Sequence, residues 1–420
     1  MAKVFFKTFG CRTNLFDTQV MKSSLRHFEC TENEEEADII VVNSCTVTNG
    51  ADSGVRSYLS KMRQGNKKIY FTGCGVGTRG ESIFHQGLAY GVFAHSFKEQ
   101  IDDFLSKKES FFYPETNPEH RDKTLITQFL GKSRAFLKIQ EGCDFACNYC
   151  IIPSVRGKAR SIEKQKILEQ IAYLAESGIS EVVLTGTNVG SYGKEFVNEN
   201  LARLIKDIAK QNCIKRLRVG SLEPSQIDEE FLECLDLPLF ERHLHIALQH
   251  TSDTMLAIMN RPNRVKSDLR LFERIARKGF CLGSDLIVGH PGEDEKVWEE
   301  AWANFQAFPL THLHIFVYSP RDGTPSASMK NTIKGDVAKQ RLHQLKSFVS
   351  QNNMRFRQTH KVPLEVLCES RTESESSFVY SGLDQFFNRV RIATNRDDLE
   401  GQWIDIDTYE IKQEGNDAKI

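Results

Sequence analysis

Cys143-Asp144-Phe145-Ala146-Cys147-Asn148-Tyr149-Cys150 sets three thiols at C-x3-C-x2-C spacing, close enough to converge on one small inorganic centre. Gln140-Glu141-Gly142 precede them and Pro153 follows, so the cysteines sit on a loop. Thiolates in that number suit zinc or an iron–sulfur cluster. A structural zinc ordinarily takes four closed ligands, and no fourth Cys or nearby His completes this set. Three ligands leave one metal position open, where an exogenous ligand can bind and react.

Working outward, the apolar run Ala135–Ile139 leads into this loop as a strand. Further strand candidates follow at Glu181–Thr185, Arg216–Val219, Leu244–Leu248, Leu282–Val288 and Leu313–Val317, with amphipathic helices between them. Ile167, Leu168, Ile171, Leu174 and Ala175 form one such helical face, closed by Gly178, and Leu201, Leu204, Ile205 and Ile208 form another. Six strand–helix units predict an open or partial (β/α)6 barrel over residues 130–352, with its chemistry in the loops at the carboxyl ends of the strands. Two of those loops carry Gly186 and Asn188, and Ser221 and Glu223; they suit a nucleoside-like ligand as well as plain turns. His245, His312 and His314 lie in or beside strands and read as layer residues before metal ligands.

Upstream, Val4–Thr8, Asp38–Val42 and Lys68–Thr72 are strand candidates separated by helical patterns. They predict an N-terminal parallel α/β domain over residues 1–125. Each strand runs into a cysteine, Cys11, Cys45 and Cys74, at the edge where open α/β sheets hold ligands. Three thiols at equivalent strand ends point to a second three-Cys site. Residues 106–128 are charged, proline-bearing and aperiodic, and read as a linker.

Downstream, residues 353–420 return to short strands, at Pro363–Leu367, Ser377–Tyr380, Arg389–Ala393 and Trp403–Ile411, and predict a small all-β barrel. Residues 361–420 carry seven Lys or Arg against thirteen Asp or Glu, a poor phosphate-binding surface. The basic run lies before it, at Lys334, Lys339, Arg341, Lys346, Arg355, Arg357 and Lys361. It reads as a solvated face or as a meeting place for RNA backbone.

Lys and Arg total 55 against 56 Asp and Glu, so any nucleic acid must be met by a local patch, not by a global field. The N-terminal residues lack the apolar run of a signal peptide, and no stretch is long and apolar enough to span a bilayer. Eleven cysteines in a chain of this kind argue for metal or redox work in the cytoplasm, with no membrane partner.

The cysteine loop, with an aromatic before its last Cys, resembles the signature of radical S-adenosylmethionine (SAM) enzymes. The longer run from Gln140 through Ile151-Ile152-Pro153-Ser154-Val155-Arg156-Gly157 resembles their methylthiotransferase branch. Thr8–Asn14, Val42–Val47 and Thr72-Gly73-Cys74 resemble that family's N-terminal motifs. His314 through Thr324 is similar to a later family motif, whereas His250-Thr251 and His290 stand where the family has Ser-Gly and Phe. The resemblance implies two [4Fe–4S] clusters, one on Cys143, Cys147 and Cys150 and an auxiliary one on Cys11, Cys45 and Cys74. It implies SAM cradled by Gly186, Asn188, Ser221 and Glu223, with Tyr149 near the adenine, and a C-terminal TRAM-like RNA-binding barrel. The implied activity is radical methylthiolation of tRNA, supplied with electrons by a flavodoxin or ferredoxin and with sulfur from an unassigned donor. Arg12, Arg156, Arg355 and Arg357 are the candidate substrate-binding residues. Gly10-Cys11-Arg12-Thr13-Asn14 resembles the branch acting on N6-threonylcarbamoyladenosine at tRNA position 37, which carries a basic residue after this Cys; the isopentenyladenosine branch reads Gly-Cys-Gln-Met-Asn. Methylthiolation of isopentenyladenosine or of a ribosomal protein, and a non-catalytic iron–sulfur RNA-binding or sensor protein, are the alternatives.

Overall fold

The computed structural model describes residues 1–63, 65, 67–126, 133–374 and 377–420. Strands β1 (Lys3–Thr8), β2 (Glu29–Cys30), β3 (Ile39–Ser44), β4 (Lys68–Gly73), β5 (Gly91–Phe93) and β6 (Phe111–Tyr113) form one parallel sheet in the order β2-β1-β3-β4-β5-β6. All six residues of β3 are buried, as a strand covered on both faces requires. β3 pairs with β1 on one side (Phe6↔Val41) and with β4 on the other (Val41↔Tyr70). Their carboxyl ends therefore lie side by side, and Cys11, Cys45 and Cys74 leave the sheet along one edge. The expected three-strand core is present. The structure adds β2, β5 and β6, each too short for alternation to announce it. β6 and the buried Ile126 fall inside the stretch expected to be a linker, which is thus part sheet and part core. Residues 127 and 128 of that stretch lie outside the described residues.

The middle of the chain places β7 (Arg134–Glu141), β8 (Arg160–Ser161), β9 (Glu181–Gly186), β10 (Arg216–Val219), β11 (His243–His245), β12 (Cys281–Val288) and β13 (His312–Val317) into a curved wall. β7, β9 and β10 pair in parallel, as do β11, β12 and β13. Parallel bridges Leu217↔Phe240 and Leu222↔Ile246 join the two groups, and β8 adds a short antiparallel edge. This is the expected six-strand partial barrel. Apolar residues point outward to the helices: Leu137, Val182, Leu184, Leu217, Leu244 and Leu282 share one core with Ile167, Ile171, Leu204 and Ile205. The alternate positions face the lumen. They are mostly polar: Arg134 and Lys138 on β7, Glu181 on β9, Arg216 and Arg218 on β10, His243 and His245 on β11, Asp285 on β12, and His312 and His314 on β13.

Helix α1 (Arg12–Ser23) starts directly after Cys11 and lies against the lumen face of β7. The Arg12 guanidinium carbon is 5.5 Å from the Phe136 ring, and Lys138 Nζ is 5.3 Å from Phe16. One helix, Gly335–Thr359, carries the chain from the barrel to the C-terminal sheet. That sheet holds β14 (Leu364–Ser374), β15 (Ser377–Leu383), β16 (Arg389–Thr394), β17 (Trp403–Ile406), β18 (Glu410–Lys412) and β19 (Gly415–Lys419), in the order β17-β14-β15-β16-β19-β18. Its pairs are antiparallel except β16 with β19. Phe387, in the left-handed backbone region at φ 68°, reaches back into the lumen and stacks on His243 at 4.7 Å.

Candidate active site

β7 ends at Glu141, and the loop after it carries Cys143, Cys147 and Cys150, each half-buried. Backbone bonds fold the loop: Cys143 N–H donates to Gly157 O (3.1 Å), and Cys150 N–H to Cys147 O (3.0 Å). Asn148 is tied to the Met259 and Ile258 carbonyls. Asn188 Nδ2 approaches Cys143 Sγ at 3.7 Å, and Arg261 Nη1 approaches Cys147 Sγ at 3.8 Å. Arg261 is itself held by both Glu223 oxygens and by Ala247 O (2.7 Å). Donors aimed at sulfur favour thiolate over thiol.

At the other set, Gly10 at φ 101° brings the chain so close to Cys45 that a Cβ there would lie 2.4 Å from Cys45 Cβ. Gly73 at φ 94° does the same beside Asn43 and Ser44. Only glycine fits either place. Cys45 and Cys74 are buried and Cys11 is exposed at the edge. Cys74 packs on Ile151 and Val155, directly downstream of Cys150. The two thiol sets are thus neighbours, with one short segment between them.

Arg156 joins them. Its side chain is 2% exposed, with Nε donating to Cys74 Sγ (3.1 Å), Nη1 to Glu141 (2.5 Å), and Nη2 to Asn14 (2.6 Å) and Asp17 (2.9 Å). Lys98, Lys138 and Arg160 complete a buried network with Asp17, Asp122 and Glu141. Burial works against every one of these charges, yet Lys138 and Lys98 hold Asp17 and Asp122 below the usual carboxylate range. Burial pushes His95 down to about 3, so it stays neutral. At the heart of the network four cations face three carboxylates, and Arg156 sets one of those cations against Cys74. An anionic, thiolate-held cluster fits that surplus.

A cleft of about 1470 Å³ runs between Cys143, Cys147 and Cys150 on one side and, on the other, Thr46, Asn49, Thr78 and Arg79 from the loops and helices that follow β3 and β4. A smaller cavity of about 220 Å³ opens beside Cys150 into the barrel mouth, lined by Tyr149, Gln249, Asp285, Ile287 and Phe316. Tyr149 packs on Met255, Met259 and Ile287. Of the residues expected near SAM, Asn188 and Glu223 meet the cysteine loop, the latter through Arg261. Ser221 donates to Asp285 (3.2 Å), and Gly186 lies against the Gln140 carbonyl, where a Cβ would come within 2.7 Å. Two expected substrate contacts are corrected. Arg156 is walled in by the network above. Arg357 is buried, with bonds to the Lys412, Gln413 and Gly415 carbonyls that pin the long helix to the C-terminal sheet. Both side chains are enclosed by protein, so neither is presented to RNA. Arg355 is exposed, and Arg12 faces the lumen. His250 and His290 are engaged by Glu293 (3.1 Å) and Ser326 (2.8 Å), so those two departures from the family pattern belong to the frame. Sequence reasoning missed Arg261, Gln249 and Asp285. A strained backbone at Gln249 (φ 64°) leaves no trace in residue type, but Asp285 inside an apolar strand was a visible signal.

Burial pushes Cys150 up to about 12 and Cys74 up to about 11, and raises Cys45, Cys143 and Cys147. The folded, cluster-free protein therefore holds these thiols protonated. Their contribution to its stability is full below the ordinary thiol pKa of about 8.5 and is lost as pH rises through the raised values. Cluster loading must release those protons, so it strengthens with pH between about 7 and 9. Iodoacetamide labelling of the cluster-free protein near about pH 8, followed by peptide mass spectrometry, should modify Cys11 first and Cys74 and Cys150 last. Equal rates would contradict this ordering.

Comparison with known proteins agrees with the site. Residues 137–301 match the family model described as the Radical SAM superfamily, and residues 3–93 match the one described as Uncharacterized protein family UPF0004. The radical SAM methyltransferase TsrM from Kitasatospora setae, solved with cobalamin and a [4Fe–4S] cluster, shares the fold. Its TM-score is 0.60 at 15% identity, over 78% of this chain and 77% of that one. The barrel and its cysteine loop thus define a radical SAM enzyme.

A protein of Helicobacter pylori (strain J99) named putative methylthiotransferase is 53% identical over 422 residues, all of both chains. The threonylcarbamoyladenosine tRNA methylthiotransferase MtaB of Bacillus subtilis (strain 168) is 32% identical, over 90% of this chain and 88% of its own length. A tRNA-2-methylthio-N(6)-dimethylallyladenosine synthase of Oceanobacillus iheyensis is 31% identical, over 92% of this chain and 78% of its own. This chain belongs to the radical SAM methylthiotransferases, whose cofactors are SAM and two [4Fe–4S] clusters.

Proposed function

We propose that this enzyme adds a methylthio group to C2 of N6-threonylcarbamoyladenosine at position 37 of tRNA. The observation that carries the substrate is Arg12. It follows the cluster residue Cys11, and its guanidinium lies over Phe136 in the lumen and 6.0 Å from Phe387. Among the described residues no carboxylate lies within ion-pairing distance of it, and burial lowers its pKa. A substrate carboxylate would pair with this guanidinium in forked geometry and offset the cost of its burial. Threonylcarbamoyl brings such a carboxylate, whereas isopentenyl would bury the cation against carbon. The relative MtaB, named for threonylcarbamoyladenosine, points the same way.

In this reading Cys143, Cys147 and Cys150 hold the cluster that cleaves SAM, and Cys11, Cys45 and Cys74 hold the one that delivers sulfur. When bound, SAM and the clusters supply a 5′-deoxyadenosyl radical and the methylthio group. The protein's own residues do the rest. Asn188 and Arg261 steady the loop sulfurs, Tyr149 and Gln249 line the SAM cavity, and Arg12 orients the base. We divide the chain into an N-terminal unit (1–125), the barrel (130–352) and the TRAM-like unit (353–420). RNA backbone meets Arg355 and its exposed basic neighbours on the long helix. A flavodoxin or ferredoxin brings the electron, and the reaction belongs to the cytoplasm. Among the described residues no helix is long and apolar enough to cross a membrane.

Anticodon stem-loops carrying threonylcarbamoyl or isopentenyl adenosine, offered in competition, test the choice. The enzyme should prefer the first by about tenfold or more, the scale of one charge-assisted pair. Arg12→Gln should erase that preference. Preferential methylthiolation of the isopentenyl substrate would overturn the reading, and an unchanged preference in Arg12→Gln would remove Arg12 from it.

A further inference from the structure

The barrel lumen holds a group of side chains that the two cysteine sets do not use. His243 and His245 on β11 and His312 and His314 on β13 all point inward, with Asp285 of β12 between them. His245 Nε2 lies 3.0 Å from Asp285 Oδ1, and His314 Nδ1 lies 3.3 Å from the same oxygen. The His245 and His314 rings face one another, with centroids 4.7 Å apart and planes 30° apart. No two of the three donor atoms are more than 4.8 Å apart. Donors bonded to one zinc-sized ion at about 2.0–2.2 Å sit about 3–3.5 Å from each other, close to the two distances above.

Independent observations favour a ligand here over a packed layer. His245 Nε2 is buried and, despite its approach to Asp285, makes no aligned hydrogen bond; His243 Nε2 is likewise buried without a partner. β12 has glycine opposite them. A Cβ at Gly283 would come within 2.7 Å of His245 Nδ1 and 3.0 Å of His243 Nε2, so glycine here is what lets the two rings lie directly against β12. Ser221 Oγ fixes the other oxygen of Asp285 (3.2 Å), as a supporting hydrogen bond fixes a metal-binding carboxylate. The His314 side chain is 61% exposed to the open lumen, so this end of the group is not core. A superficially similar trio, Glu99, His120 and Asp122, fails the same scrutiny: the ammonium groups of Lys98 and Lys138 already occupy the Asp122 oxygens.

We infer that His245, Asp285 and His314 bind one divalent transition metal of the zinc class, with its remaining positions open to the lumen. Two imidazoles and one carboxylate are a donor set for such ions, distinct from the all-thiol sets above. Oxygen donors of a molecule entering the lumen would complete the coordination. This site is independent of which tRNA base is modified.

The test uses the full-length protein with both clusters loaded anaerobically, so that the loop and strand-end thiols are occupied. After equilibration with zinc chloride and gel filtration, elemental analysis should find about one zinc per chain retained beyond the clusters' iron. Its zinc extended X-ray absorption fine structure should show nitrogen and oxygen near about 2.0–2.1 Å and no sulfur near about 2.3 Å. His314→Ala, at an exposed side chain, should lose at least tenfold in zinc affinity with iron and sulfide unchanged, and Asp285→Asn should do the same. No retained zinc in the wild type, sulfur in its coordination shell, or equal retention by both variants would each overturn the inference.

Discussion

Replacing Cys143, Cys147 and Cys150 together by alanine is expected to abolish 5′-deoxyadenosine formation from SAM and to halve the iron and sulfide content, from about two cubanes per chain to about one. The expectation rests on separation. The loop cysteines hang from β7, while the other three leave β1, β3 and β4. Backbone bonds within the loop, from Cys143 to Gly157 and from Cys150 to Cys147, define it without help from the N-terminal sheet. The reciprocal variant, Cys45→Ala, should keep SAM cleavage and lose only sulfur insertion. Anaerobic iron and sulfide analysis with chromatography of the SAM products reads both. Complete loss of iron in the triple variant, or loss of 5′-deoxyadenosine in a folded Cys45→Ala protein that keeps the loop cluster, would show that the two sets are one site.

Arg156→Met should be the most damaging single change outside the cysteines, and more damaging to the loaded protein than to the cluster-free one. The guanidinium touches Cys74, Glu141, Asp17 and Asn14 from a position closed to water. Without it, three cations still face three carboxylates, so the cluster-free network stays balanced in charge although short of donors. An anionic cluster on Cys74 would then lack its counter-charge. Removing one partner of a buried pair costs about 3–5 kcal/mol, and that loss should fall mainly on the loaded form. Thermal unfolding of both forms, with electron paramagnetic resonance of the second cluster, measures it. The variant should lose the auxiliary signal and keep the loop cluster. Equal destabilisation of the two forms with both signals intact would assign Arg156 to packing alone.

The contrast between Cys74 and Arg156 shows what a sequence can carry. A thiol at the end of an apolar run is local information, and the three runs before Cys11, Cys45 and Cys74 placed them on one edge before any coordinates. The six barrel strands were legible because each carries apolar residues in a short run followed by a helical pattern. Arg156 and Arg357 were expected to bind substrate because an isolated arginine is ordinarily solvated and free to meet a ligand. Their partners lie far off in the chain, Asn14 and Asp17 for one and Gly415 for the other, and no spacing rule links them. The short strands β2, β5 and β6 carry too few residues to show a period. The polar lumen was partly in view, as His-x-His in two strands and Arg-x-Arg in a third. His245, His312 and His314 read as layer residues, but the arginines and Asp285 beside them did not, because parallel strands are ordinarily apolar on both faces.

Liquid chromatography with mass spectrometry of tRNA nucleosides, from otherwise identical cells with and without this protein, tests the central claim most directly. The account predicts that 2-methylthio-N6-threonylcarbamoyladenosine disappears without the protein, that its unmethylthiolated precursor accumulates, and that methylthio-isopentenyladenosine is unchanged. An unaltered nucleoside profile, or loss of the isopentenyl product alone, would contradict it.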